Sequence, residues 1–133
     1  MRRHAYTTTA TFVFLALAST PLAAQVPVTR SELRGTWARE PAACSDAKSD
    51  GRIAIREKEI EFFASSCKIA RVRLESKSGW VGVFRCEKSG AFRDVEIELF
   101  TPGVDPDPNR MTMRVDRGAP RALVRCPQNV PVR

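Results

Sequence analysis

The segment DAKSDGRIAIRE, which starts at Asp46, has residue types that could bind calcium. Asp46 and Glu57 stand at the first and last ligand positions of an EF-hand loop, and Gly51 stands at its sharp turn. Lys48, however, sets a cation at the third ligand position, and the preceding EPAAC contains a proline where a helix is required. We therefore interpret the segment as a polar turn that leads into a strand.

A second segment, DPDPN, spaces Asp105, Asp107 and Asn109 as oxygen ligands, with Asp116 further along the chain. It lacks the glycine of a calcium loop, and the residues that follow alternate as a strand. We interpret this segment as a loop stiffened by its prolines.

Other carboxylates alternate with apolar residues, as the wet face of a strand requires. Among them are Glu57, Glu59, Glu61, Glu96 and Glu98. The chain has no Gly-x-Ser-x-Gly elbow and no glycine-rich phosphate loop, and its one histidine is His4. We therefore expect no enzymatic activity, no cofactor and no metal site.

Residues 1 to 24 have the order of a secretory signal peptide: two arginines, an apolar stretch and a run of small residues that ends at Ala24. The apolar stretch is shorter than the ~20 residues that cross a bilayer, so we expect no stable membrane span. Residues 25 to 133 suit one compact domain. We expect a monomeric protein that is periplasmic or secreted.

All four cysteines follow the leader: Cys44, Cys67, Cys86 and Cys126. An even number of cysteines in an exported small domain favours two disulfides, and no Cys-x-x-Cys pair indicates zinc or a redox motif. Three pairings are possible. We favour Cys44 with Cys67 and Cys86 with Cys126, the pairs that follow one another along the chain.

Apolar and polar residues alternate with a period of two along most of residues 25 to 133. About eight short strands are predicted, separated by turns rich in Gly, Ser and Pro. The strand segments are LRGTWARE, Ile53–Ile55, Ile60–Phe62, Ala70–Leu74, Trp80–Cys86, Val95–Leu99, Met111–Val115 and ALVRC. This predicts an all-β antiparallel meander, either a closed barrel or a sandwich. Residues 55 to 67 also fit a helical stripe.

Positive charge is concentrated near the C-terminus. From Arg110 to Arg133 there are six arginines and one acid, whereas the leader's arginines account for the rest of the formal charge of +7. Arg110, Arg114 and Arg117 are therefore candidate residues for binding an anionic envelope polymer. Because the protein is expected to be exported, we expect no nucleic-acid partner.

The segment ELRGTW resembles the opening of lipocalin-like barrels, in which a Gly-x-Trp begins the first strand. Gly35 and Trp37 match this pattern, and Arg125 or Arg121 could supply the arginine that covers the tryptophan. At this length the chain is most similar to the bacterial inhibitors of secreted metalloproteases, which have a signal peptide, a short N-terminal arm and a disulfide after the tryptophan. The resemblance implies that the arm, residues 25 to 31, enters a protease cleft. Its candidate binding residues are Gln25, Val26, Pro27 and Val28.

These observations predict a non-enzymatic exported binding module of the inhibitor type, acting through its arm or a loop on an exported protein such as a protease. Two alternatives stay open. One is a structural envelope protein that binds anionic surface polymers. The other is a small-molecule carrier with an apolar barrel interior, although bulky side chains can fill so small a barrel. Those side chains are Phe62, Phe84, Trp80, Ile97, Leu99 and Met113.

Overall fold

A computed structural model describes residues 27 to 101, 103 and 107 to 129. The predicted leader, Gln25, Val26 and Asp105 lie outside this part of the chain. Among the described residues, no helix is long and apolar enough to cross a bilayer.

Eight strands form a closed antiparallel barrel in which each strand pairs with the next and the last pairs with the first. They are β1 (Gly35–Ala38), β2 (Arg52–Ile55), β3 (Glu59–Phe62), β4 (Ser65–Glu75), β5 (Gly79–Lys88), β6 (Ala91–Phe100), β7 (Arg110–Val115) and β8 (Arg121–Arg125). Two short 3₁₀ helices, Ser31–Leu33 and Pro41–Ser45, flank β1. The all-β prediction is confirmed, and of the two architectures predicted, the closed barrel and the sandwich, the structure is the closed barrel.

Every second side chain along a strand points inward, so the apolar residues of the alternating pattern fill the interior of the barrel. The bulky residues predicted to fill the barrel do so. Trp80, Phe84, Ile97, Leu99 and Met113 are buried almost completely, and Phe62 packs partly buried against them.

The segment that also fitted a helical stripe is a hairpin. Phe63 and Ala64 form the turn between β3 and β4, and Ile60 pairs directly with Cys67 across the two strands. The segment therefore follows the period of two of a strand and not the helical stripe. The apolar side chain of Ile60 lies inside the barrel, and the glutamates of β3 lie outside.

The segment Ala70–Leu74 was predicted to alternate as a strand, which would place Ala70, Val72 and Leu74 on one face, but β4 does not keep this alternation. Two register shifts against β5 interrupt the alternation, one after Ile69 and one after Val72. As a result Ile69 and Val72 pack on the core, whereas Ala70 and Leu74 are exposed. Bulges of this kind insert a residue into one strand only, and the period of two does not reveal them.

The favoured disulfide pairing was wrong: the bonds are Cys44–Cys126 and Cys67–Cys86. Cys67 lies directly opposite Cys86 in the β4–β5 ladder. Cys126 follows β8, and closure of the barrel places β8 beside β1, which precedes Cys44. Two disulfides with all four cysteines paired are typical of a protein in an oxidising compartment.

Candidate functional site

One end of the barrel is closed by a tryptophan and an arginine; we call it the closed end. Trp37 is buried, and its indole Nε1 donates a hydrogen bond of 2.9 Å to the Leu33 carbonyl oxygen. The Arg125 guanidinium lies over the ring, with Cζ 4.2 Å from the ring centroid, a cation–π contact. An arginine from the last strand was expected to cover Trp37, and the structure selects Arg125 rather than Arg121.

Arg125 uses its donors within the protein. Its Nη1, Nη2 and Nε donate to the carbonyl oxygens of Arg34, Glu32 and Pro108 at 2.8, 2.6 and 3.1 Å. Burial lowers the pKa of Arg125 below its ordinary value. Gly35 permits this arrangement, because its φ is +133° and a Cβ there would lie 3.0 Å from Nη1 of Arg125. Arg125 is therefore a structural residue with its donors committed.

The predicted N-terminal arm is fixed to the barrel from Thr29 onwards. Thr29 is fully buried, its amide donates to the Glu57 carbonyl oxygen at 2.8 Å, and its hydroxyl lies 3.1 Å from the same oxygen. A segment entering a protease cleft must therefore precede Thr29. Of the candidate binding residues, Pro27 and Val28 are half-buried, and Gln25 and Val26 lie outside the described residues.

The three candidate arginines of the C-terminal segment lie along β7 and in the turn that follows it. Arg110 begins β7 at the closed end, whereas Arg117 lies in the turn beyond the other end of that strand. Each faces a carboxylate: Arg110 with Asp107 at 3.6 Å, Arg114 with Glu98 at 3.3 Å and Arg117 with Glu96 at 3.6 Å. Binding of an anionic polymer by these residues stays a prediction.

The described residues of the two segments that resembled calcium loops include turns. The amide of Lys48 donates to Oδ1 of Asp46 at 2.9 Å, and β2 follows, so the interpretation as a turn leading into a strand is confirmed. Asp107 likewise accepts from the Asn109 amide at 2.8 Å. Asp116 lies at the far end of β7 from Asp107. In both turns a side-chain carboxylate replaces a backbone acceptor.

The opposite end of the barrel holds a recess of about 580 Å³; we call it the open end. The turns β3–β4, β5–β6 and β7–β8 surround this recess. Its floor is apolar and consists of Phe62, Val95, Val115 and the Cys67–Cys86 disulfide. A volume of this size lies within the ~300–1,000 Å³ of small-molecule sites.

The recess does not continue through the barrel. Below its floor, Trp80 and Phe84 pack edge to face with ring centroids 5.8 Å apart, and both are fully buried. Gly82 lies between them on the inner face and leaves room for the Trp80 ring. The site is therefore a bowl at one end of a packed barrel.

Two phenylalanines at the rim of the recess are exposed to solvent. Phe63 is 56% exposed in the β3–β4 turn. Phe92 is 61% exposed near the β5–β6 turn, where it alternates with Arg93 and its ring lies 5.7 Å from Cζ of Arg85 on the outer face of the barrel. Large apolar side chains gathered at an exposed site are typical of a binding surface. Sequence reasoning missed both. The available signal was that Phe63 directly follows Phe62 and so breaks the alternation.

Three cationic side chains stand at the mouth of the recess: Lys88, Arg93 and Arg121. Each lies two residues beyond a buried core residue on its own strand, so alternation turns it towards the barrel axis. Arg93 forms an ion pair of 3.3 Å with Asp116. Lys88 and Arg121 have no ion pair with any described residue. Among the described residues that line the recess, Asp50 is the one with a carboxylate.

No group of three or more histidine, cysteine, aspartate or glutamate side chains could hold a metal ion within the described ranges. Comparisons of this chain with models of protein families, with curated proteins and with solved structures give no match.

Proposed function

We propose that the protein is an exported, non-enzymatic binding module that holds a small apolar ligand in the recess at the open end. The asymmetry of the barrel carries this proposal. Trp37 and Arg125 seal the closed end, whereas the open end keeps a recess of about 580 Å³ with an apolar floor.

Burial of apolar surface supplies the driving force. A ligand in the recess covers exposed surface of Phe63, a rim residue that is 56% exposed. Covering Phe63 contributes about 1 kcal/mol, to which the ligand's own apolar area adds. Binding in the micromolar range requires about 8 kcal/mol, so the ligand must also contact the floor formed by Phe62, Val95 and Val115.

Location in the periplasm or outside the cell is part of the same proposal. The leader-like order of residues 1 to 24 supports it, and so does the pairing of all four cysteines. An apolar small molecule that crosses an aqueous compartment needs a protein to cover it, because apolar surface is unfavourable in water.

Binding of a neutral apolar fluorophore, Nile red, tests the proposal. We expect the purified protein to bind one Nile red with micromolar affinity and to enhance its fluorescence. Ala91→Trp places an indole at the mouth of the recess and should weaken binding at least tenfold. The matched control is Ala70→Trp, since Ala70 is an exposed alanine of β4 outside the recess. Absence of binding, or equal binding by both variants, would refute the proposed function.

Protease inhibition by the arm is a second candidate, favoured by the anchor at Thr29. The buried Thr29, held by a backbone hydrogen bond, fixes the chain to the barrel directly after the arm, which lowers the entropy cost of docking. The resemblance of Gly35 and Trp37 to the metalloprotease inhibitors supports the same candidate.

Titration against secreted metalloproteases separates the two candidates. An inhibitor should act at micromolar concentration, lose its effect when residues 25 to 28 are deleted, and keep it in Ala91→Trp. Absence of inhibition by the intact protein removes this candidate and leaves the binding of an apolar ligand to stand on its own test.

A further inference from the structure

We propose that the ligand of the open-end recess is an amphiphile with an anionic head group, whose head is held by Arg121 and Lys88. This inference rests on the proposed function and adds the chemical class of the ligand. Its basis is the contrast between the apolar floor and the cationic mouth of the same recess.

The position of Arg121 is the first step. Leu123 of β8 points into the core, so Arg121 and Arg125, two residues away on either side, share its inward face. Arg125 covers Trp37 at the closed end and donates to three carbonyl oxygens. Arg121 occupies the equivalent inward position at the open end, where it lines the recess.

The second step is that Arg121 is not neutralised by its neighbours. The arginines of β7 and of the β7–β8 turn each face a carboxylate within 4 Å, as does Arg93 at the mouth. Arg121 and Lys88 have no such carboxylate among the residues that the structure describes. Asp50 offsets one positive charge of the lining, which leaves the mouth with a net positive charge.

The third step is the chemistry of the two cations. A guanidinium presents paired donors that match the oxygens of a carboxylate or a phosphate, and an ammonium adds a point charge. Next to apolar walls such a contact is less screened than in open water. A head group at Arg121 and Lys88 leaves its tail over Phe62, Val95 and Val115, the floor of the recess.

Calorimetric titration with three ligands of equal chain length tests the head-group class: decanoate, decanol and decyltrimethylammonium. We expect decanoate to bind about tenfold more tightly than decanol, the equivalent of ~1.4 kcal/mol, and the cation to bind most weakly. Arg121→Gln should remove the preference for decanoate over decanol. Arg71→Gln makes the same charge change on an exposed arginine of β4 outside the recess and should preserve the preference.

The outcomes separate the two proposals. If decanol binds as tightly as decanoate, or Arg121→Gln keeps the preference, the anionic head group is refuted and the apolar site stands. If none of the three ligands binds, the proposed function itself fails. A fourth ligand, decyl phosphate, distinguishes the source of the anion: the tighter of decanoate and decyl phosphate identifies a carboxylate or a phosphate head.

Discussion

Arg121 and Arg125 lie on the same inward face of β8, and their surroundings give them different roles. Arg125 donates to three carbonyl oxygens and stacks on Trp37, so its charge is used within the fold. Arg121 lines the recess without an ion pair among the described residues. The sequence predicted that one of the two covers Trp37. It did not indicate which arginine does so, because that depends on which end of the barrel the 3₁₀ helix Ser31–Leu33 covers.

Replacing Arg125 should destabilise the protein. We expect Arg125→Gln to lower the free energy of unfolding by about 3 kcal/mol, because it removes charge-assisted hydrogen bonds and the cation–π contact. Urea denaturation measures this. The matched control is Arg121→Gln on the same strand, for which we expect a change below ~0.5 kcal/mol. Equal effects of the two substitutions would contradict the structural role of Arg125.

The carboxylate of Glu32 should titrate at unusually low pH. A hydrogen bond from its own backbone amide and contacts from Arg30 lower the pKa of Glu32 from 4.5 to about 2. Because the pKa of Glu32 is lower in the folded than in the unfolded protein, its ionised carboxylate stabilises the fold above pH ~4.5. This contribution is lost as the pH falls towards 2. NMR titration of the side-chain carboxyl should give a midpoint near 2. The stability difference between wild type and Glu32→Gln should shrink over the same pH range, and a midpoint near 4.5 would contradict the hydrogen bonds.

At the scale of secondary structure, β5 follows its sequence pattern closely. Alternation in the predicted strand Trp80–Cys86 places Trp80, Gly82, Phe84 and Cys86 on one face, and the three with side chains are buried together. Alternation reveals such a strand because β5 pairs with β6 in an uninterrupted register, so successive side chains point to opposite faces along its whole length. β1 shows the limit: LRGTWARE predicted a longer strand than Gly35–Ala38, since Leu33 turns inward in a 3₁₀ helix to close the barrel.

Gly82 should be intolerant of a methyl group. A Cβ there would lie 2.3 Å from the Trp80 ring and 2.9 Å from the Phe84 ring. We therefore expect Gly82→Ala to destabilise by about 1–3 kcal/mol through overpacking. Gly79→Ala on the same strand is the control, because its Cβ would meet only ordinary contacts at 3.5 Å or more. Thermal unfolding of both variants measures the difference, and equal melting temperatures would contradict the packing of the inner face.

At the scale of the whole molecule, closure of the barrel explains what the sequence could not predict. The pairing of β1 with β8 brings Cys44 and Cys126 together across 82 residues, whereas adjacent cysteines in the chain had suggested local bonds. Closure also makes the two ends different in structure: the 3₁₀ helix Ser31–Leu33 lies at one end, and the other end has the recess. The recess residues come from six strands and their turns, so alternation in any one strand did not reveal them.

The two disulfides should differ in their contribution to stability. If loop closure in the unfolded chain dominates, replacing Cys44 and Cys126 by alanine should cost about 4.5 kcal/mol, and replacing Cys67 and Cys86 about 3 kcal/mol. Urea denaturation measures both. Mass spectrometry of the non-reduced protein checks the pairing independently, and a peptide linking Cys44 to Cys67 would contradict the structure.

The most direct test of the open-end binding site is to map ligand-induced changes in the amide NMR spectrum. We expect decanoate and decanol to shift the amide signals of Phe63, Val95 and Arg121, which line the recess. The indole signal of Trp37 and the amide of Gly35, at the closed end, should stay unchanged. Shifts confined to the closed end, or no shifts with either ligand, would contradict a binding site in the recess.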